Sequence, residues 1–217
     1  MIRTSPEAEA LKAILAAGCP EQEGKFYGVT RVLSGTKDMS GLEAWRKRVG
    51  EEEADRIVEE SKRIGNSLDK LFNDSLEDPD FNIEDHKDTL GYKLWIQLRS
   101  YLKNVIPVAV QMRVWNNDLK YMGYLDCLGF YKGKLTLIDC KNSKKEKQEQ
   151  YLEDYYLQCT AYCMALYQMY GIKVTQLCLM IARRDSSFPQ VIVRPIAPYI
   201  PKVIARAQQY HLQSNTN

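Results

Sequence analysis

Apolar positions recur every three or four residues up to about Lys103, then give way at Val105 to runs of β-branched and aromatic residues separated by short polar breaks. The change of period predicts helices first and strands after. Residues 6–17 read as an amphipathic helix with Ala10, Leu11, Ile14 and Leu15 on one side, stopped by Gly18-Cys19-Pro20 and expected to clasp the main body. A polar helix carrying Leu42, Trp45, Val49, Ala54, Ile57 and Val58 follows. A third, from about residue 59, sets Ile64, Leu68, Leu71 and Phe72 on one face. The acidic stretch 73–80, which contains Pro79, predicts a turn. Helix resumes over 85–103, where Leu90, Leu94, Leu98 and Leu102 recur every four residues.

Residues 105–115 read as a strand, 116–118 as a hairpin turn and 119–130 as its partner. Lys132-Gly133 turns the chain into a third strand, 134–141. A long helix over 148–170 is supported by Leu152, Tyr155, Cys159, Cys163, Leu166 and Tyr170. Strands at 174–183 and 191–195 and a closing helix at 202–212 complete the order. The fold class expected is α/β: a central mixed sheet, antiparallel in its first three strands, flanked by helices. One domain is expected over 1–217, mainly helical in 1–104, with the sheet-bearing core in 105–195 and a C-terminal helix in 196–217. No internal repeat is present.

With 217 residues, 45% hydrophobic and 27% charged, the chain is long enough to fill one good core. Its net charge of +2 means that any nucleic-acid contact must come from a local patch. No run approaches the roughly 18 apolar residues of a membrane span, and the N-terminal segment carries acids where signal and transit peptides avoid them. A cytoplasmic protein of a bacterium or a phage-infected cell, with no membrane partner, is therefore expected. The six cysteines show no CxxC spacing and are expected as free buried thiols. His86 and His211 are the two histidines of the chain, which excludes an HExxH zinc site and leaves a Ser-His-Asp triad without a recognisable base. Neither GxxxxGK[ST] nor GxGxxG occurs.

The candidate chemistry lies in the hairpin region. Asp126 closes Gly123-Tyr124-Leu125-Asp126, and Asp139-Cys140-Lys141 ends the next strand. Strand side chains alternate, so Asp139 and Lys141 share a face while Cys140 turns to the other, and adjacent strands set Asp126 across from Asp139. Two such aspartates are costly to ionise together unless a cation bridges them, and all-oxygen ligands favour Mg²⁺ or Mn²⁺. The backbone carbonyl of Cys140 is placed to reach the same ion. Lys141 can orient or deprotonate a water and share developing charge, which points to metal-assisted phosphodiester hydrolysis. The plainer alternative is a pair of sheet-edge acids with Lys141 in a surface ion pair.

The run from Leu119 through Asp126, Asp139 and Lys141 to Lys145 resembles the catalytic hairpin of the PD-(D/E)XK nuclease superfamily, within it the RecB-like exonucleases. The particular likeness is to the mitochondrial genome maintenance exonucleases and the phage exonucleases related to them. Gln158-Cys-Thr-Ala-Tyr162 resembles the QxxxY helix motif of that branch, and Val29–Leu33, Trp45-Arg46 and 63–65 resemble its N-terminal helical region. The likeness covers roughly residues 25–195 and implies a restriction-endonuclease-like core, helices that guide DNA, and phosphate-positioning roles for Gln158 and Tyr162. These two, four apart, share a helix face with Asp154. Many relatives carry a histidine ligand where this chain has Asp69, and often a glutamate where it has Gln111. Asp69 reads either as a further metal ligand or as a surface acid paired with Arg63 or Lys70. Some relatives bind an iron-sulfur cluster; no cysteine follows Cys178, so none is expected.

For the substrate, Arg46, Arg48, Arg63, Ser143, Lys144 and Lys145 offer phosphate contacts. Tyr121, with Tyr151, Tyr155 and Trp115, offers stacking surfaces of the kind that suits single strands. The expectation is a monomeric, Mg²⁺-dependent exonuclease acting on single-stranded DNA ends in replication, repair or recombination. A catalytically weak DNA-binding protein of the same fold, or a related endonuclease, is the alternative.

Overall fold

The computed structural model describes residues 4–215. In chain order the elements are α1 (Pro6–Ala16), β1 (Tyr27–Gly28), α2 (Val29–Gly35), α3 (Ser40–Val49), α4 (Glu51–Glu77), α5 (Tyr92–Leu102), β2 (Val105–Asn116), β3 (Tyr121–Tyr131), β4 (Lys134–Ser143), α6 (Glu153–Tyr170), β5 (Gln176–Arg183), β6 (Gln190–Pro195) and α7 (Ile200–Asn215), with short 3₁₀ turns between some of them. The class is mixed α/β, a central six-stranded sheet flanked by helices. Strands β2, β3 and β4 form the expected antiparallel start. Helix α6 then carries the chain over to β5, which lies parallel to β4, and β6 returns antiparallel.

Alternation along the strands sorts the core into two layers. Leu128 and Leu137 pack with Leu157, Cys159, Cys163 and Leu166 of α6. Their sequence neighbours Cys127 and Ile138, with Cys140 two further along β4, pack instead with Leu68, Leu71 and Phe72 of α4 and Leu94, Trp95 and Leu98 of α5. Five of the six cysteines are buried and all are free thiols, with Cys159 and Cys163 in the core.

Three features depart from the sequence reading. The polar region is cut at Gly50, whose φ of 90° favours glycine, so α4 is one 27-residue helix rather than a helix beginning near 59. That helix also runs through most of the expected acidic turn. Leu76 continues the Leu68-Leu71-Phe72 face, Trp95 Nε1 donates to Ser75 Oγ at 3.1 Å, and the helix stops just before Pro79. Finally, 85–91 is not α-helical: the Gly91 N–H donates to Ser67 Oγ at 2.9 Å, α5 begins at Tyr92, and Leu90 is 55% exposed rather than part of a buried stripe.

Candidate active site

A fork in the sheet positions the acids. One edge of β3 is paired with β2 along nearly its whole length. The other edge meets β1 at Tyr121 and Met122 and meets β4 from Cys127 onward, so residues 123–126 lie between two partners. Past Ile138, β4 continues alongside β5 to Ser143. At the mouth of this fork Asp126 Oδ2 accepts the Cys140 backbone N–H at 2.8 Å. Because N–H and C=O of one strand residue point toward the same edge, the Cys140 carbonyl faces the gap as well. Lys141 Nζ donates to Asp139 Oδ1 at 2.8 Å and stands 3.9 Å from Asp126 Oδ2. The expected juxtaposition of Asp126, Asp139 and Lys141 is therefore present. Asp139 is only 2% exposed, unlike a surface ion pair.

Burial dominates the electrostatics. It pushes the Asp139 carboxyl up to about 7; the Lys141 ammonium opposes this, while Asp126 and Asp69 add to it. Burial pulls Lys141 down, but Asp139 and Asp126 outweigh it and hold the ammonium well above the ordinary lysine range. Without a cation on its two aspartates, Lys141 is thus held as a positive charge. Asp69, on α4, is raised to about 6 by burial first and by Asp126 second. It pairs with neither Arg63 nor Lys70, whose ammonium is bound to Asp74 at 2.6 Å.

Asp139 Oδ2 is buried without a hydrogen bond, although Lys141 Nζ lies 2.8 Å away, out of line for donation. A buried orphan oxygen, two carboxyls held above their usual range and an oxygen-only donor set fit a hard divalent cation. Among the described residues no group of three His, Cys, Asp or Glu side chains has metal-holding geometry. The donors at hand are Asp126, Asp139 and the Cys140 carbonyl, with Asp69 acting on them through its charge.

Helix α6 lies over this region. Gln158 Nε2 donates to the Tyr162 hydroxyl at 3.0 Å, and burial raises the phenol, with Asp139 contributing. Because Tyr162 Oη accepts from Gln158, its own proton is left to donate. The ring rests against Gly123: a Cβ there would lie 2.7 Å from Tyr162 Cε1 and 2.9 Å from its hydroxyl. This contact is absent from the sequence reading; a glycine three residues before an acid on a strand is the one cue that could have suggested it. Asp154, one turn earlier on α6, has its carboxylate paired with Lys37 and with Arg206. Gln111 stands in β2 between Val110↔Cys127 and Met112↔Leu125, opposite Asp126, with an unusual φ of 48° and its side chain exposed.

The expected phosphate contacts are dispersed. Arg48, Arg63, Lys144 and Lys145 are exposed, whereas Arg46 is engaged by Glu51 at 2.5 Å and Asp55 at 2.6 Å. Ser143, half-buried, accepts the Arg184 N–H on its carbonyl. Tyr121 corrects the sequence reading: it is 1% exposed and its hydroxyl donates to the Ala161 carbonyl at 2.8 Å, so it is a core residue that joins β3 to α6 and cannot stack on a base.

No protein-family model matches the chain. In sequence it is 30% identical over 191 residues to "Mitochondrial genome maintenance exonuclease 1" of Xenopus tropicalis, covering 82% of this chain and 54% of that protein. The protein of the same name from Homo sapiens is 30% identical over 184 residues, 77% of this chain and 52% of the relative. That of Mus musculus is 32% identical over 143 residues, 59% and 40% respectively. The chain is thus similar, over as much as four fifths of its length, to proteins named as exonucleases, and it spans about half the length of the curated relatives it matches.

Proposed function

We propose that this chain is an Mg²⁺-dependent exonuclease that hydrolyses phosphodiester bonds from the ends of single-stranded DNA. The observation that carries the proposal is the fork: two aspartates and a lysine within hydrogen-bond or ion-pair reach, one buried carboxylate oxygen of which accepts no hydrogen bond. Asp126, Asp139 and the Cys140 carbonyl would hold the cation. When bound, such an ion polarises the phosphodiester and acidifies a water. Lys141, within reach of both aspartates, would orient that water and face the charge that develops on the phosphate. The Tyr162 hydroxyl, fixed by Gln158, donates to a phosphate oxygen and sets the strand's position. The names of the relatives support exonuclease over endonuclease.

Gln111 favours a second reading. It is a neutral, exposed side chain opposite Asp126, and with no three-residue ligand group among the described residues it supports a weakly cutting, DNA-retaining protein. Incubation with end-labelled linear and with circular single-stranded DNA, in Mg²⁺ and in EDTA, separates the readings. Mg²⁺-dependent loss of linear but not circular strands is expected. Cutting of circles would replace exonuclease with endonuclease, and retention without cutting would establish the weak form.

A further inference from the structure

Most cations around the fork are engaged by carboxylates. Arg183 pairs with Glu146 and Asp185, both at 3.1 Å, and Arg184 with Glu60 at 3.7 Å. Lys37 and Arg206 both reach Asp154. Lys147 is different. Its backbone is held twice by Gln190, whose Oε1 accepts the Lys147 N–H at 3.0 Å and whose Nε2 donates to the Lys147 carbonyl at 2.9 Å. Its ammonium lies 5.5 Å from the centre of the Tyr155 ring, and Lys141 Nζ lies 5.8 Å from the same ring centre. The two ammonium groups are therefore at most about 11 Å apart. Lys141 has two aspartates; among the described residues Lys147 has no carboxylate in ion-pair range.

Two ammonium groups gathered on one aromatic ring, one of them without a counter-charge, form a site prepared for an anion. The ring's negative face attracts each cation but does not neutralise it. A separation of at most about 11 Å keeps both ammonium groups within a few nucleotides of one nucleic-acid strand, whose charges advance roughly 3.4 Å each in duplex form. Lys144 and Lys145 are exposed and, among the described residues, sit on no aromatic ring, so they add charge without fixing position. With Tyr155 occupied in this way, its ring is a seat for lysines rather than the base-stacking surface expected from sequence.

We propose that Lys147, seated on the Tyr155 ring, holds a backbone phosphate of the substrate strand beside the one that reaches Asp126, Asp139 and Lys141. This rests on the nuclease reading. The test measures binding of a labelled single-stranded oligonucleotide in EDTA, where no cutting occurs, across a range of salt. Lys147→Gln is expected to weaken binding several-fold and to flatten the log K against log[salt] slope by about 0.7, the share of one phosphate contact on a single strand. Its melting temperature should stay that of the wild type. Tyr155→Leu should reproduce the binding loss and Tyr155→Phe should not. Moving one uncharged methylphosphonate along the oligonucleotide should reveal a linkage that weakens the wild type but leaves Lys147→Gln unaffected. Wild-type slope and affinity in Lys147→Gln, or a methylphosphonate profile identical in both proteins, would overturn the assignment while the nuclease reading stands. A wild type that neither binds nor cuts single strands would remove both.

Discussion

Asp139 lies almost wholly out of water with one oxygen that accepts no hydrogen bond, and burial works against ionising it. Its folded-state value, raised to about 7 from an ordinary 3.8, means that the stabilising contribution of the neutral form is full below about pH 4 and is lost as pH rises through 7. Asp139→Asn should therefore melt above the wild type in EDTA at pH 8, by roughly 2–4 °C for each kcal/mol of relieved charge burial, with the gap closing toward pH 4. A wild type that melts higher at pH 8 would show that Lys141 already neutralises the carboxylate. For turnover, Asp126→Ala and Lys141→Ala should each lower the rate by roughly a thousandfold or more, while in Asp126→Ala strand affinity, set by phosphate contacts elsewhere, stays within about twofold. Single-turnover cleavage together with binding in EDTA checks both halves. These residues were legible because strand alternation fixes which neighbours share a face. Tyr121 was misread because its hydroxyl's partner, the Ala161 carbonyl, is 40 positions away and leaves no local trace.

At the level of elements, the strands and α6 follow from apolar runs and turn residues, whereas helix limits depend on tertiary contacts. Helix α4 runs through Asn73-Asp74-Ser75, poor helix formers, because Leu71, Phe72 and Leu76 carry its buried face onto α5. The fork was not legible. It exists because the two-residue β1 inserts parallel to β3 at Tyr121, and nothing near Tyr27 marks a strand so short. Its working depends on the fit between β3 and α6 at Gly123. Gly123→Ala forces a methyl group to within 3 Å of the Tyr162 ring and hydroxyl, so the ring must move. Overpacking of this kind costs about 1–3 kcal/mol, and displacing a positioning group by about 1 Å can cost a hundredfold in rate. Turnover should fall at least tenfold, on the order of the Tyr162→Phe loss, with strand binding little changed. Turnover in Gly123→Ala equal to wild type would remove Tyr162 from the reaction.

For the molecule as a whole, the residues proposed for catalysis come from β3, β4 and α6, with Asp69 of α4 close enough to act on them, so assembly of the site and folding of the sheet are one event. A cation that binds only the assembled fork must then stabilise the entire fold by mass action. At a free concentration ten times its dissociation constant the gain is about 1.4 kcal/mol, which in a chain of this size raises the melting temperature by roughly 3–6 °C. Titrating Mg²⁺ into EDTA-stripped protein should show that rise at pH 8 and a smaller one at pH 5, where Asp139 and Asp69 are protonated. Ca²⁺, which accepts the same oxygens with looser geometry, should stabilise as well, and a monovalent salt at equal ionic strength should not. Asp126→Ala should abolish the Mg²⁺ effect, and Asp69→Ala decides the remaining ambiguity on α4. If the Mg²⁺ concentration for half-maximal stabilisation rises about tenfold or more, Asp69 belongs to the ligand set. If the midpoint is unchanged and only its pH dependence shifts, Asp69 acts on the aspartate pair through charge alone. A wild-type melting temperature that does not respond to Mg²⁺ at any pH from 5 to 8 would mean that the fork holds no cation, and hydrolysis at Asp126 and Asp139 would then have no means of activating its water.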